Sequence, residues 1–203
     1  MKTTSVATSV ALLAGLCVST SASAQTLGFA PMQQNFPSDY VTSDEGAEAP
    51  VPERLRRTTV AFDSREAPGT IVIDTGNTAL YYVLGQGRAI RYAVGVGREG
   101  FTWSGVQNIS RKAEWPDWHP PAEMVARQPY LPRFMAGGPG NPLGARALYL
   151  GATVYRIHGT NRPDTIGTAV SSGCFRLVNG DVIDLYDRIP VGTRVVVRHA
   201  AEL

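Results

Sequence analysis

Cys174 stands in the run Ser171-Ser172-Gly173-Cys174-Phe175-Arg176-Leu177, and His158 opens Ile157-His158-Gly159-Thr160 upstream of it. A thiol attacks only as thiolate; with a free pKa of about 8.5 it needs a base or a positive environment at neutral pH. The chain has 3 histidines, His119, His158 and His199. His158 follows the run Val154 to Ile157, which reads as a strand. A strand end presents a side chain rigidly, and Gly159 lets another backbone approach. His119 lies in a proline run and His199 near the C-terminus, and both read as surface histidines. The stretch Asn161 to Gly167 is a loop able to fold His158 and Cys174 together.

Ser172, Gly173 and Cys174 place consecutive backbone N–H groups beside the thiol, a candidate cradle for an oxyanion. Each such donor is typically worth a factor of about 10² to 10³ in rate. Arg176 is a candidate for binding a substrate carboxylate or holding the thiolate, with a structural salt bridge as the rival role. Ser171 and Ser172 lack the Gly-x-Ser-x-Gly surroundings of a nucleophilic serine. The rival reading of Cys174 is an inert buried thiol. Against it stand the neighbouring histidine, the glycine-flanked turn and the cysteine count, which is 2 for the whole chain.

The second cysteine, Cys17, falls in a leader. Lys2 gives a positive start, Val10 to Val18 an apolar core, and Ala22-Ser23-Ala24 a small-x-small cleavage site. Residues 1–24 are therefore expected to be a secretory signal peptide, too short for a transmembrane span, and no later stretch reaches the roughly eighteen apolar residues a membrane helix needs. Removing 24 of 203 residues leaves 179, enough for one core. An exported chain with one remaining cysteine cannot close an intramolecular disulfide. The formal charge of +2 is too slight to argue for nucleic acid. No closely spaced histidine pair suggests a metal, and no cofactor is expected.

The elements that must position these residues begin after a Pro-, Ser- and acid-rich stretch, residues 25–58, read as a flexible tether. Thr70 to Asp74 and Ala79 to Leu84 are short β-branched and aromatic runs around Thr75-Gly76-Asn77, which predicts a hairpin. A third strand is expected over Ala89 to Val96. From Trp103 to Gly144 lie all 3 tryptophans and seven prolines, from Pro116 to Pro142. That density speaks against long helices and central strands and leaves two readings, a binding loop or a tryptophan roof over a small core. Strands are expected at Ala147 to Leu150, Thr153 to Ile157 and Thr193 to Arg198. One helix is expected between them, with Asn179 as N-cap, Asp181 in its first turn and Pro190 ending it. Short strands with one good helix predict a mainly β domain, sandwich-like or barrel-like, with one or two short helices.

Ile157-His158-Gly159-Thr160, Ile166-Gly167 and Ser171 to Leu177 together resemble the signature of the L,D-transpeptidase catalytic domain, the YkuD-like family. Gly138-Pro139-Gly140-Asn141-Pro142-Leu143-Gly144 resembles a segment these domains often carry. The resemblance covers roughly Thr70 to Val197 and makes 59–203 the expected catalytic domain. It implies a cell-wall enzyme of the periplasm acting on peptidoglycan stem peptides, with Cys174 as nucleophile and His158 as base. The family's usual run is Ser-His-Gly-Cys, and Ser172 replaces that histidine here. The thiol must then be tuned otherwise, with Ser172 and Arg176 as candidates.

The implied reaction is attack on the carbonyl of the third residue of a donor tetrapeptide, meso-diaminopimelate by resemblance. D-alanine leaves, and an amine takes the thioester. The amine of a second stem gives a 3→3 crosslink, and that of an outer-membrane protein anchors it to the wall. The backbone carbonyl of Gly159 is expected to fix the imidazole tautomer. The alternatives are an L,D-carboxypeptidase or endopeptidase using the same Cys–His dyad, and a non-catalytic wall-binding module.

Overall fold

Unbroken apolar runs decide the centre of the sheet. In this computed structural model, which describes residues 52–199, Ile71–Asp74 (β2) is buried at every position. Val195, Val196 and Val197 of Arg194–Arg198 (β11) are buried as well. A strand buried on both faces reads as a continuous β-branched run, and both lie in the middle of one sheet. The other strands are Thr58–Ala61 (β1), Ala79–Gly85 (β3), Arg88–Ala93 (β4), Val96–Gly97 (β5), Gly105–Glu114 (β6), Arg146–Leu150 (β7), Arg156–His158 (β8), Ala169–Ser171 (β9) and Phe175–Arg176 (β10). Two short helices, Ala122–Arg127 (α1) and Asn179–Arg188 (α2), complete a mainly β domain.

Nine strands form one sheet in the order β1-β4-β3-β2-β11-β6-β7-β8-β10, and β5 pairs with β9 separately. β2 and β3 form the expected hairpin, with Ile71 opposite Tyr82. β11 lies parallel to β2 and antiparallel to β6, so the C-terminal strand joins the two halves of the sheet. The main core gathers Ile71, Leu80, Tyr92, Ile109, Leu148, Ile157, Phe175, Leu177, Leu185 and Val197 among others. α2 covers it with Val182 and Leu185, as the apolar spacing predicts. Lys112 of β6 closes the helix's other end, donating from Nζ to the carbonyls of Tyr186 at 2.6 Å and Ile189 at 2.7 Å.

Five expectations differ from the structure. The strand expected over Thr153 to Ile157 starts only at Arg156, because Thr153 closes a turn, its hydroxyl donating to the Leu150 carbonyl at 2.6 Å. The strand expected over Ala89 to Val96 breaks after Ala93, because Gly95 exchanges two backbone hydrogen bonds with Arg176, at 2.8 and 2.9 Å. The chain thus bends toward the cysteine segment before β5 begins. The middle region does hold a central strand. β6 spans ten residues and lies between β11 and β7. It ends before the first proline, and only Ile109 of it is buried, so it carries almost no hydrophobic signal. Asn179 is the first residue of α2 rather than its cap, and its side chain is spent elsewhere, as described below. Residues 52–58, assigned to the tether, carry a 3-10 turn at Glu53–Leu55 and the start of β1. There Leu55 packs against Ala93, Ile166 and Val178, and Arg57 lies 3.3 Å from Asp181 and from Asp184. The leader and residues 25–51 fall outside the described residues. Among the described residues no helix is long and apolar enough to cross a membrane.

Candidate active site

The floor of the site is a parallel strand pair. Phe175 registers with Ile157 and Arg176 with His158. Side chains alternate along a strand, so Ile157 and Phe175, both buried in the core, fix the opposite face for Arg156, His158, Cys174 and Arg176. All four line one cleft of about 460 Å³. A strand spacing of about 4.8 Å and a rise of about 3.3 Å per residue put the Cα atoms of Cys174 and His158 about 8 Å apart.

His158 is buried, and its Nδ1 lies 2.6 Å from the carbonyl oxygen of Gly159. A carbonyl can only accept, so Nδ1 carries the proton and Nε2 is left with its lone pair. Burial, and then the charge of Arg176, lower the imidazole pKa to about 3. The ring is therefore neutral at physiological pH, the state a base requires. Cys174 is half-buried, and its thiol faces the Val154 carbonyl at 3.9 Å. No hydrogen bond joins it to His158 among the described residues. Burial pushes the thiol pKa up, while the charge of Arg156, the Arg156 backbone N–H and the charge of Arg176 pull it down. Arg156, which sequence reasoning did not single out, is thus the second cation at the thiol; its alternation with His158 along one strand was the available signal.

The turn holding Cys174 is braced from within. The Ser171 hydroxyl donates to the Cys174 carbonyl at 2.6 Å and accepts from the Gly173 N–H at 3.2 Å. This accounts for Ser171, and it occupies the Gly173 N–H proposed for the oxyanion. The Cys174 N–H has no protein acceptor among the described residues. Gly173 is needed for shape: its φ is +102°, and a Cβ there would meet the Tyr155 ring at 2.5 Å. Trp103 backs the same turn, donating from Nε1 to the Gly173 carbonyl at 3.2 Å and stacking on Tyr155 at 4.9 Å. Ser172 lines the cleft half-buried.

The roof comes from the proline-rich segment, which forms a small core of its own and lines the cleft. Trp118 is buried with Leu131 and Leu143, and Met124 and Met135 pack against them, a small second core. Its edge, including Trp118, Pro121, Met124 and Leu143, faces the cleft. Asn141, 2 % exposed, holds the segment in place. It donates to the carbonyls of Met135 and Ala136 and accepts from the Leu143 N–H at 2.8 Å. Roof and floor meet at Gly144 and Gly159, where a Cβ on Gly144 would come within 2.4 Å of the Thr160 nitrogen. The Asn179 side-chain oxygen accepts from the N–H groups of Ala145 at 3.0 Å and Thr160 at 3.3 Å, tying both segments to α2. This is the close backbone approach expected at Gly159. Asn141 and Asn179 are positioning residues that reading for chemistry passed over.

The remaining candidates lie elsewhere. Exposed His119 contacts the Phe134 ring at 5.2 Å, and the His199 Nδ1 lies 2.7 Å from the Thr75 hydroxyl. Among the described residues no group of three or more His, Cys, Asp or Glu could hold a metal ion.

The model of the YkuD family, described as the L,D-transpeptidase catalytic domain, matches residues 68–197. An Escherichia coli K12 protein named "Probable L,D-transpeptidase ErfK/SrfK" is 34 % identical over 173 residues, which is 81 % of this chain and 53 % of that protein. Another from the same strain, "Probable L,D-transpeptidase YbiS", is 41 % identical over 62 % of this chain and 43 % of its own. The chain thus spans about half the length of these curated relatives. The solved catalytic domain of an Enterococcus faecium L,D-transpeptidase matches at a TM-score of 0.52 and 17 % identity, over 66 % of this chain and all of that domain, a likeness of fold. The chain belongs to the YkuD family, the L,D-transpeptidase catalytic domain.

Proposed function

We propose that this protein is a peptidoglycan L,D-transpeptidase whose nucleophile is Cys174 and whose base is His158. The observation that carries the reading is the parallel β8–β10 register, which sets a thiol and a neutral, carbonyl-oriented imidazole on one cleft face. In the reaction Sγ leaves the Val154 carbonyl, which it faces at 3.9 Å, and turns toward Nε2. His158 takes the thiol proton as sulfur attacks the carbonyl of the third residue of a donor tetrapeptide, meso-diaminopimelate. The Cys174 N–H faces the developing oxyanion. Collapse of the adduct breaks the peptide bond, and His158 returns the proton to the departing D-alanine amine. An acceptor amine then attacks the thioester, with His158 removing its proton.

Arg156 and Arg176 serve the thiolate in place of the histidine that Ser172 replaces. The acceptor is the amine of a second stem, giving a 3→3 crosslink, or of an envelope protein, which the wall then holds. We place the enzyme in the periplasm, exported by residues 1–24 and spaced from the leader by a tether. Mass spectrometry of disaccharide-tetrapeptide incubated with the protein tests the reading, with Cys174→Ala alongside. A tetrapeptide–tripeptide dimer, formed with loss of D-alanine and absent from the variant, is expected. Tripeptide alone would make the enzyme an L,D-carboxypeptidase, and an unchanged substrate in a folded, reduced sample would sink the donor assignment.

A further inference from the structure

The charge of the cleft is far from that of the chain. The whole sequence carries 19 basic and 17 acidic residues, whereas the cleft lining holds Arg98, Arg127, Arg156, Arg162 and Arg176 and no Asp or Glu. These arginines differ in what they do. Arg156 and Arg176 stand beside the thiol. Arg162 is spent on Asp164, in two hydrogen bonds of 3.0 and 2.9 Å. Arg98 and Arg127 are exposed at the mouth and share one anchor, their guanidinium carbons lying 4.4 and 4.8 Å from the Phe101 ring centroid. Phe101 thus ties the loop after β5 to α1 and holds two cations within about 9 Å of each other. Among the described residues no carboxylate pairs with either. Two like charges fixed that close repel, and an anion between them offsets the repulsion.

We infer that Arg98 and Arg127 form a carboxylate-reading pair at the cleft mouth, which selects donor stems bearing free carboxylates away from the scissile bond and discriminates against their carboxamides. The inference rests on the reading above, that the substrate is a stem peptide with diaminopimelate in third place. Such a stem carries carboxylates on its second residue and on the diaminopimelate side chain. A guanidinium only donates, so a carboxylate can meet it with both oxygens. A carboxamide loses the charge and turns an NH₂ toward donors. Exposure of the pair makes the preference sensitive to salt.

Binding separates this selection from the chemistry. With full-length Cys174→Ala, calorimetry compares the free-acid tetrapeptide with the same peptide carrying carboxamides at those two positions. The amide form is expected to bind about fivefold more weakly, the order expected of two exposed ion pairs. The gap should narrow in high salt and close in Arg98→Gln/Arg127→Gln, while Arg98→Lys/Arg127→Lys, which keeps the charge and loses the fork, should retain part of it. Equal affinities for acid and amide, or a gap that survives the glutamine pair in a folded protein, would overturn the inference. Acylation of the wild type by the free-acid stem, read by mass spectrometry, tests the parent reading separately. An acid preference without any acyl-enzyme would uphold the carboxylate pair and remove the transpeptidase.

Discussion

The floor and the roof of the cleft are built in opposite ways. The floor is two strands, β8 and β10, whose ladder register places each side chain to within a residue and whose far face is sealed into the main core by Ile157 and Phe175. The roof has no strand across residues 128–145, only a single bridge between Met135 and Trp118; there, one buried asparagine, backbone turns and a small apolar cluster hold the chain. Reacting groups must be held to fractions of an ångström, and regular backbone does that with few dedicated contacts. A binding surface can be assembled from irregular chain, provided each buried polar group is satisfied locally. The two parts therefore should fail differently: floor substitutions should stop chemistry in a folded protein, and roof substitutions should weaken binding or unfold it.

The largest expected effect is on the floor. Cys174→Ala should lower turnover by at least about 10⁴-fold with little change in thermal stability, because it removes the proposed nucleophile and leaves the Ser171 brace in place. His158→Gln should cost about 10² to 10⁴-fold. Retained turnover in either variant would break the comparison at its root.

At the junction, Gly144→Ala should act on stability first. Gly144 has a φ of +63°, and the added Cβ would press on backbone atoms of Gly159 and Thr160. Asn179→Ala would leave the Ala145 and Thr160 N–H groups without their acceptor, at about 1–3 kcal/mol for each left unsatisfied. Asn179→Asp keeps an acceptor and should recover most of the loss. Thermal unfolding separates these cases, and Asn179→Ala as stable as wild type would mean that the tie between roof and floor is dispensable.

Acidity probes the floor through its imidazole. The imidazole pKa falls from an ordinary 6.5 to about 3 on folding. Between those values the unfolded chain binds the proton that the folded one refuses, so stability is full above pH 6.5 and declines as pH falls toward 3. The limiting slope is about 1.4 kcal/mol per pH unit from this one group. Denaturation midpoints of wild type and His158→Gln should accordingly converge on acidification. The rate profile should show no inflection near 6.5. It should stay level across the neutral range, because the base is already neutral there and burial holds the thiol above its ordinary value. An acid limb centred near 6.5 would mean that the imidazole titrates as if exposed.

The same division separates what the sequence disclosed from what it hid. The hairpin, β7, β11 and α2 announced themselves through apolar spacing, and the thiol and imidazole through residue type and flanking glycines. β6 did not, since nine of its ten residues escape full burial and its polar side chains alternate without pattern. Its place between β11 and β7 comes from backbone pairing that no side chain records. Asn179 misled because an asparagine opening a helix has a local use as a cap, whereas here its partners, Ala145 and Thr160, are distant in sequence. Arg98 and Arg127 could not be connected at all before Phe101 was seen between them.

The finest test concerns Trp103, which belongs by sequence to the proline-rich region and by contact to the floor. Its ring stacks on Tyr155 and tilts against Phe175, and its Nε1 holds the Gly173 carbonyl beside the thiol. Trp103→Phe keeps an aromatic ring in the stack and removes only the hydrogen bond, worth about 1 kcal/mol net. If Trp103 positions the thiol, acylation should slow by roughly fivefold, with the change in kcat and not in KM, and Trp103→His, which can again donate, should recover part of it. A rise in KM with kcat unchanged would instead assign Trp103 to substrate binding, and the boundary between floor and roof would then follow sequence rather than contact.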